Sequence, residues 1–182
     1  MYTPPSYVFP TPIVLSHGSL FGALNVSNYL TGGAASRTGN AANMAIYAPI
    51  VTTERETWGY GFWWNGSVAT NAGNVSVGVY DTAGTQLATT GNVAASGNSV
   101  VQAAVFTASV VLNPGSYYVG WMLTTGAGLN AIFGYAASLE FTELGVLQQA
   151  VGSNPLPATA TFATWSSQVL PIFGISRASF AI

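Results

Sequence analysis

The sequence contains no cysteine and no lysine, and only eight of its 182 residues are charged. Without cysteine, disulfides, thiolate metal sites and thiol redox chemistry are excluded. Charged residues make up 4% of the chain, whereas a soluble domain usually carries roughly 25%. Three arginines cannot build the clustered basic surface that binds phosphate groups, so we exclude a nucleic-acid-binding protein.

Long hydrophobic runs are also missing, although 49% of the residues are hydrophobic and the mean hydropathy is +0.41. Gly, Ser, Asn or Pro interrupts every apolar run, and a membrane-spanning helix needs about 20 consecutive apolar residues. We therefore expect no membrane insertion. A monomer usually needs more charge on its surface than eight residues can supply. The composition therefore predicts a homo-oligomer that covers part of its surface with other subunits.

Residues 1–43 differ in composition from the rest of the chain. Four prolines lie within the first twelve residues, and a stretch rich in Gly, Ala and Asn follows. Proline fixes φ and has no backbone N–H, which favours an extended conformation. Two interpretations are open: an arm that lies on another molecule, or an N-terminal strand with loops that packs on the same domain. We predict an arm over 1–43 and a sandwich domain over 44–182; the arm's candidate contact residues include Tyr2, Tyr7, Phe9 and Phe21.

From residue 44 onward, apolar and small or polar residues alternate as in β-strands. Alternate residues of 75–79 and of 117–123 form apolar faces, and residues 81–84 and 113–115 are turn signals. Pro49 indicates an edge strand or a bulge, and only 138–151 has a helical pattern. Eight to ten short strands with turns every 8–12 residues predict an all-β fold, an antiparallel, jelly-roll-like β-sandwich.

The segment 57–64 is the most distinctive local feature, because five of its eight residues are aromatic. Strict alternation places Trp58, Tyr60, Phe62 and Trp64 on one face and leaves Trp63 pointing outward. An exposed aromatic ring can stack on a sugar, so Trp63 is a glycan-binding candidate. The alternative is that the cluster belongs to the core or to a subunit interface, which a core-facing strand with this pattern favours.

The sequence offers little catalytic chemistry. His17 is the only histidine and has no acidic residue within ten positions, whereas a catalytic triad needs a histidine held by a carboxylate. Glu54 with Glu56 and Glu140 with Glu143 are the acid pairs that a glycosidase would need, but both fit solvated turns. Ligand clusters for zinc or calcium are missing as well. We therefore predict a non-enzymatic protein without metal or cofactor.

Three motifs stand out between residues 47 and 135: GVYD at 78–81, Leu87-Ala88 with Gly91, and LNPG at 112–115 leading into YYVGW at 117–121. With these motifs, residues 47–135 resemble a jelly-roll domain that is common in virion proteins of tailed bacteriophages. The resemblance covers about half of the chain. The sequence departs from long fibre proteins in having neither shaft repeats nor coiled coils, which favours a short, compact virion component.

The resemblance implies a capsid decoration or cement protein that stabilises the head lattice, with the glycan- or receptor-binding tip of a head or tail fibre as the alternative. It also implies a homotrimer located in the virion, on the capsid surface or on the tail. The expected partners are further copies of the chain, the major capsid protein or another neighbouring virion protein and, for the alternative, a host-surface glycan.

Overall fold

The structure, a computed structural model, describes residues 14–15, 19–21, 35–37, 43–65, 73–97, 100–124, 132–135, 145–164, 170–171 and 173–177. All regular elements of this part are β-strands. In chain order they are β1 Val14–Leu15, β2 Ser19–Phe21, β3 Ala35–Arg37, β4 Met44–Thr52, β5 Glu56–Trp64, β6 Asn74–Tyr80, β7 Gln86–Thr89, β8 Val93–Ala94, β9 Val101–Leu112, β10 Gly115–Leu123, β11 Ile132–Tyr135, β12 Leu147–Ala150, β13 Ala163–Thr164, β14 Leu170–Pro171 and β15 Phe173–Ser176.

Two antiparallel sheets pack together and form a β-sandwich. The seven-stranded sheet has the order β13-β12-β4-β10-β6-β7, with β8 also paired to β6, and the five-stranded sheet has the order β1-β2-β15-β5-β9. A small third sheet, β14-β11-β3, completes the described strands. The chain crosses repeatedly between the two large sheets, as in jelly-roll-like sandwiches. The predicted all-β antiparallel sandwich is confirmed, and nine of the fifteen described strands have four or more residues.

The main core lies between the two large sheets. The seven-stranded sheet contributes alternate residues of β4, β6 and β10, so the apolar faces predicted over 75–79 and 117–123 are confirmed. Burying such side chains stabilises the fold by about 1.5–3 kcal/mol each. The largest fully buried members of this core are Trp58, Trp63, Trp121, Ile46, Leu112 and Ile175.

A second, smaller core lies on the other face of the seven-stranded sheet. It contains Tyr47, Tyr80 and Met122, and residues 151–162, here called the covering segment, lie across it and contribute Leu156 and Ala160. The covering segment is fixed to the sheet by backbone hydrogen bonds from residue 86 to 158 and from residue 160 to 84. The seven-stranded sheet therefore carries buried side chains on both faces, so two cores accommodate the apolar residues of this chain.

The two predicted turns form as their residue types require. The carboxylate of Asp81 accepts hydrogen bonds from the backbone N–H groups of Ala83 and Thr85, at 3.0 and 2.8 Å. Such side-chain capping of a turn is the common role of Asp at this position. The turn between β9 and β10 is held by Thr52 and Tyr117, whose hydroxyls both donate to the backbone oxygen of Asn113.

Three strands lie within the predicted arm. β1 pairs with β2, β2 pairs with β15, and β3 pairs with β11. This pairing is what the alternative of an N-terminal strand packed on the same domain predicts. The other residues of 1–42 lie outside the described residues, so the division of the chain at residue 43 remains a prediction.

Two smaller expectations need adjustment. The helical pattern over 138–151 is wrong for Leu147–Ala150, which forms β12 and pairs with β4; residues 138–144 lie outside the described residues. Strand β4 is not an edge strand along its whole length, because β12 covers residues 44–47. Pro49 lies outside that pairing, in the half of β4 that pairs with β10 alone among the described strands. The missing proline N–H therefore removes no hydrogen bond to β12.

Candidate interaction surfaces

Strand β5 places its aromatic residues differently from the strict alternation. A β-bulge between Trp58 and Tyr60 shifts the register against β9 and exchanges the two faces for the rest of the strand. Trp58 and Trp63 therefore both point into the main core, and each is 1% exposed. The prediction that Trp63 points outward is wrong, and with it the candidate glycan-stacking residue is lost.

A buried amide network fixes Trp63. Its Nε1 donates to Oδ1 of Asn65 at 3.0 Å, and Asn65 is itself 1% exposed. The Nδ2 group of Asn65 donates to the backbone oxygen of Ser96 and to Oε1 of Gln102. Gln102 also accepts from the Ser96 N–H and donates to the Ala94 oxygen. The network joins the ends of β5, β8 and β9. The one sequence signal that could have indicated it is a single amide residue, Gln102, in the otherwise apolar run 101–106.

The outer face of β5 is not an open aromatic platform. Gly61 faces the core, since a Cβ placed there would meet Val77 of the opposite sheet. Tyr60, Phe62 and Trp64 consequently lie on the outer face, where Phe62 is 1% exposed and the other two are half-buried. A sugar ring needs an exposed aromatic face, and Phe62 does not offer one.

All charged side chains that the structure describes lie at one end of the sandwich. The loop between β4 and β5 carries Glu54 and Arg55, the first residue of β5 is Glu56, the β6–β7 turn begins with Asp81, and Arg177 follows β15. Strand pairing brings most of these positions together, because Glu56 is opposite Leu112, residue 115 is opposite residue 52, and residue 80, next to Asp81, is opposite residue 118. Arg177 joins them through its contact with Glu56. We call this region the charged end.

The charged end contains one ion pair among the described residues. Nη1 of Arg177 lies 2.9 Å from Oε1 of Glu56. The Arg177 guanidinium carbon also lies 5.8 Å from the centre of the Trp58 ring. The two side chains are 46% and 21% exposed, so the pair is worth at most about 1 kcal/mol. Glu54 is exposed, as the solvated-turn interpretation of the acid pair predicts, but its partner Glu56 is the first residue of β5 and is half-buried in the ion pair.

Apart from Glu56 at the start of β5, the described strands of the two large sheets carry uncharged side chains. At the opposite end, the Thr124 hydroxyl accepts from the backbone N–H of Asn74 and donates to its backbone oxygen. Within the described residues, no three acidic or histidine side chains lie close enough to hold a metal ion. No described helix is long and apolar enough to span a membrane. His17, Glu140 and Glu143 lie outside the described residues.

Two buried tyrosines connect the seven-stranded sheet to the strand and segment that flank it. The Tyr47 hydroxyl donates to Oε1 of Gln149 at 2.9 Å, and the Tyr80 hydroxyl donates to the backbone oxygen of Pro157 at 2.7 Å. Their rings make an edge-to-face contact at 5.2 Å. Burial raises the pKa of Tyr80 to about 12 and also raises the pKa of Tyr47, because the phenolate would be removed from water.

These tyrosines predict a loss of stability in alkaline solution. In the unfolded chain a tyrosine ionises near pH 10, whereas in the folded protein the proton of Tyr80 is retained to about pH 12. The stabilisation is complete below about pH 10 and is lost as the pH rises towards 12, by about 2 kcal/mol. Urea unfolding followed by tryptophan fluorescence measures this loss. Tyr80→Phe should lower stability at pH 8 but flatten its dependence on pH, and an unchanged slope would contradict the assignment.

The candidate contact residues of the arm are mostly outside the described part. Tyr2, Tyr7 and Phe9 are not described, and of Phe21 the structure places the backbone, opposite Gly174 in the β2–β15 ladder. Comparison with protein-family models, with curated proteins and with solved structures gives no match to this chain.

Proposed function

We propose that the protein is a non-enzymatic structural component of a bacteriophage virion, a decoration or cement protein that associates with itself and with the capsid. The observation that carries the proposal is the distribution of charge. Five charged side chains, those of Glu54, Arg55, Glu56, Asp81 and Arg177, lie at one end of the sandwich, and of Arg37 the structure places the backbone, in β3 of the small third sheet.

This distribution suits a protein that is buried among neighbours. Transferring a charged side chain from water into an interface is costly unless it finds a partner there, whereas apolar and small hydroxyl-bearing residues are buried at low cost. Exposed valines lie on both large sheets, with Val51 at 48%, Val105 at 63% and Val111 at 45% exposure. A protein whose charged end faces solvent can cover the rest of its surface without leaving an unpaired charge.

The resemblance of residues 47–135 to virion jelly-roll domains supports the same proposal independently of the charge distribution. The GVYD and LNPG motifs of that resemblance form the turns described above around Asp81 and Asn113. The trimer implied by the resemblance remains a prediction.

The second candidate, a glycan- or receptor-binding tip, is supported by the resemblance alone. Its most specific residue, Trp63, is buried in the core. A glycan array probed with the full chain separates the two candidates, since a decoration protein should bind no glycan on it.

Localisation in particles tests the proposed function directly. An antibody raised against the full chain should label virions purified from the source of the sequence, and gold labelling should fall on the head. Labelling of the tail would favour the fibre alternative, and an absence of the protein from purified virions by mass spectrometry would refute both.

Removing residues 1–12 should separate folding from attachment. This truncation leaves every described strand in place, since the first begins at Val14, but it removes the proline-rich start with Tyr2, Tyr7 and Phe9. The expected result is an unchanged melting temperature together with a loss of binding to particles that lack the protein. Binding equal to that of the full chain would move attachment from the arm to the sandwich.

A further inference from the structure

Strand β9 forms one edge of the five-stranded sheet, and its surface differs from that of an ordinary edge strand. It is the longest strand, with twelve residues, and among the described strands it is hydrogen-bonded to β5 alone. Edge strands normally carry lysine, proline or inward-pointing charges that prevent pairing with another chain. Residues 101–112 contain none of these, and the nearest charged residues in the sequence are Asp81 and Glu140.

The regular part of this edge is short and well defined. Residues 101–105 pair one-to-one with β5, and the register then shifts so that 106–109 face Gly59. Such a bulge bends the strand away from a regular edge. Val101, Ala103 and Val105 lie on the outer face, because they pair with Trp64, Phe62 and Tyr60. Val105 is 63% exposed, the most exposed large apolar residue of the described part.

The outer row of this edge is complementary to itself. Read in either direction it is valine, alanine, valine, with Ala103 at the centre. If two copies pair antiparallel about Ala103, each Val101 is opposite a Val105 of the other copy and the two alanines face each other. A two-fold contact requires such self-complementarity, since the same residues supply both sides.

The inner row allows the same arrangement. In this pairing Gln102 is opposite Ala104 of the other copy, and the Gln102 side chain is already bound within its own subunit to Asn65, Ser96 and Ala94. Residues 101–105 carry no charge, so their pairing with the same residues of a second copy brings no like charges together.

We propose that residues 101–105 of β9 pair with the same residues of a second copy, so that the two five-stranded sheets become one continuous sheet. The proposal rests on the self-association included in the proposed function and names its contact. It gives a two-fold dimer as the smallest assembly, in place of the trimer that the resemblance implies.

The test compares two exposed valines changed to lysine in the full chain. Val105→Lys should raise the dimer dissociation constant by about 100-fold, because it places a charge within the apolar edge. Val51→Lys is the matched control, since Val51 is 48% exposed on the other sheet and should leave the dimer intact. Light scattering at micromolar concentration reports the mass, and circular dichroism confirms that both variants are folded.

A cysteine cross-link tests the register and does not depend on the lysine variant. The chain has no cysteine, so Ala103→Cys introduces a single thiol, which the two-fold axis places opposite its copy at a Cβ distance of about 4.5–5.5 Å. Mild oxidation should give a disulfide-linked dimer from Ala103→Cys at far higher yield than from Val51→Cys.

Three results would overturn the proposal: a monomer at micromolar concentration, an oligomer that Val105→Lys does not weaken, or equal cross-linking of the two cysteine variants. A trimer that Val105→Lys leaves intact belongs to the second case. These outcomes are independent of virion localisation. A virion protein whose oligomer survives Val105→Lys keeps the proposed function with a different contact, whereas a monomer found in virions keeps only its association with the capsid. A dimer that passes these tests but is absent from virions refutes only the function.

Discussion

Replacing Asn65 by leucine should lower the free energy of unfolding by about 1–3 kcal/mol. Asn65 is 1% exposed and makes three hydrogen bonds, with Trp63, Ser96 and Gln102. Leucine removes the amide and leaves the buried indole N–H of Trp63 without a partner, whereas Ser96 is exposed and the Gln102 oxygen keeps its bond from the Ser96 N–H. Each unsatisfied buried group costs about 1–3 kcal/mol. Chemical denaturation followed by tryptophan fluorescence measures the change.

Two further variants isolate the network. Asn92→Leu is the control, since Asn92 is exposed and the change should alter stability by less than about 0.5 kcal/mol. Trp63→Phe removes the indole donor together with part of the buried ring, so only the donor's share of its cost should disappear when Asn65 is already leucine. A double-mutant cycle measures that coupling. Additive costs would show that Trp63 and Asn65 act independently and would contradict the network.

Changing Gly61 to alanine should destabilise the sandwich by about 3 kcal/mol, at the upper end of the usual range for overpacking. A Cβ at this position would lie 2.6 Å from Cβ of Val77 and 2.9 Å from Cγ2 of Thr90, both in the other layer of the sandwich. Distances this short force the two sheets apart, because neither atom is the flexible end of a long side chain. Thermal unfolding by circular dichroism reports the loss.

The same strand provides the control. A Cβ at Gly59 would have as its nearest neighbour the backbone oxygen of Arg177, at an ordinary 3.8 Å. Gly59→Ala should therefore change stability by less than about 0.5 kcal/mol. If both glycines tolerated alanine equally, the close approach of the sheets at Gly61 would be wrong.

The sequence allowed the strands and turns to be predicted where the determinants are local. Val75, Val77 and Val79 alternate with small or polar residues, so one register alone buries them. The turn at Asp81 depends on its own side chain and the next four residues. These features were predicted correctly because each is decided within a few positions of the chain.

The orientation of Trp63 was predicted incorrectly because alternation does not define it. Residues 58–64 are all aromatic or glycine, so a strand with or without a bulge at Gly59 gives an equally apolar core face. The register is decided by pairing with β9, forty residues away along the chain. The amide network was missed for the same reason, since Asn65 and Gln102 meet only after that pairing.

The covering segment could not be inferred from local patterns either. Its Leu156 is buried against strands that lie about eighty residues earlier in the sequence, where its N–H donates to Ser76. The pattern of 151–162 is that of a loop with prolines, and a loop that covers a sheet has the same composition as one that does not.

Ionic strength acts on the protein mainly at the charged end. At 0.1 M ionic strength, salt largely screens interactions between exposed charges that lie more than about 10 Å apart, and the charged side chains that the structure places are confined to the charged end. Ionic strength therefore acts on that one tip of the sandwich, while contacts made through the sheet faces and the β9 edge involve no ionising group below the tyrosine range. An assembly built on those contacts would hold together across large changes in salt and acidity, and its outward-facing tips would alone respond to them.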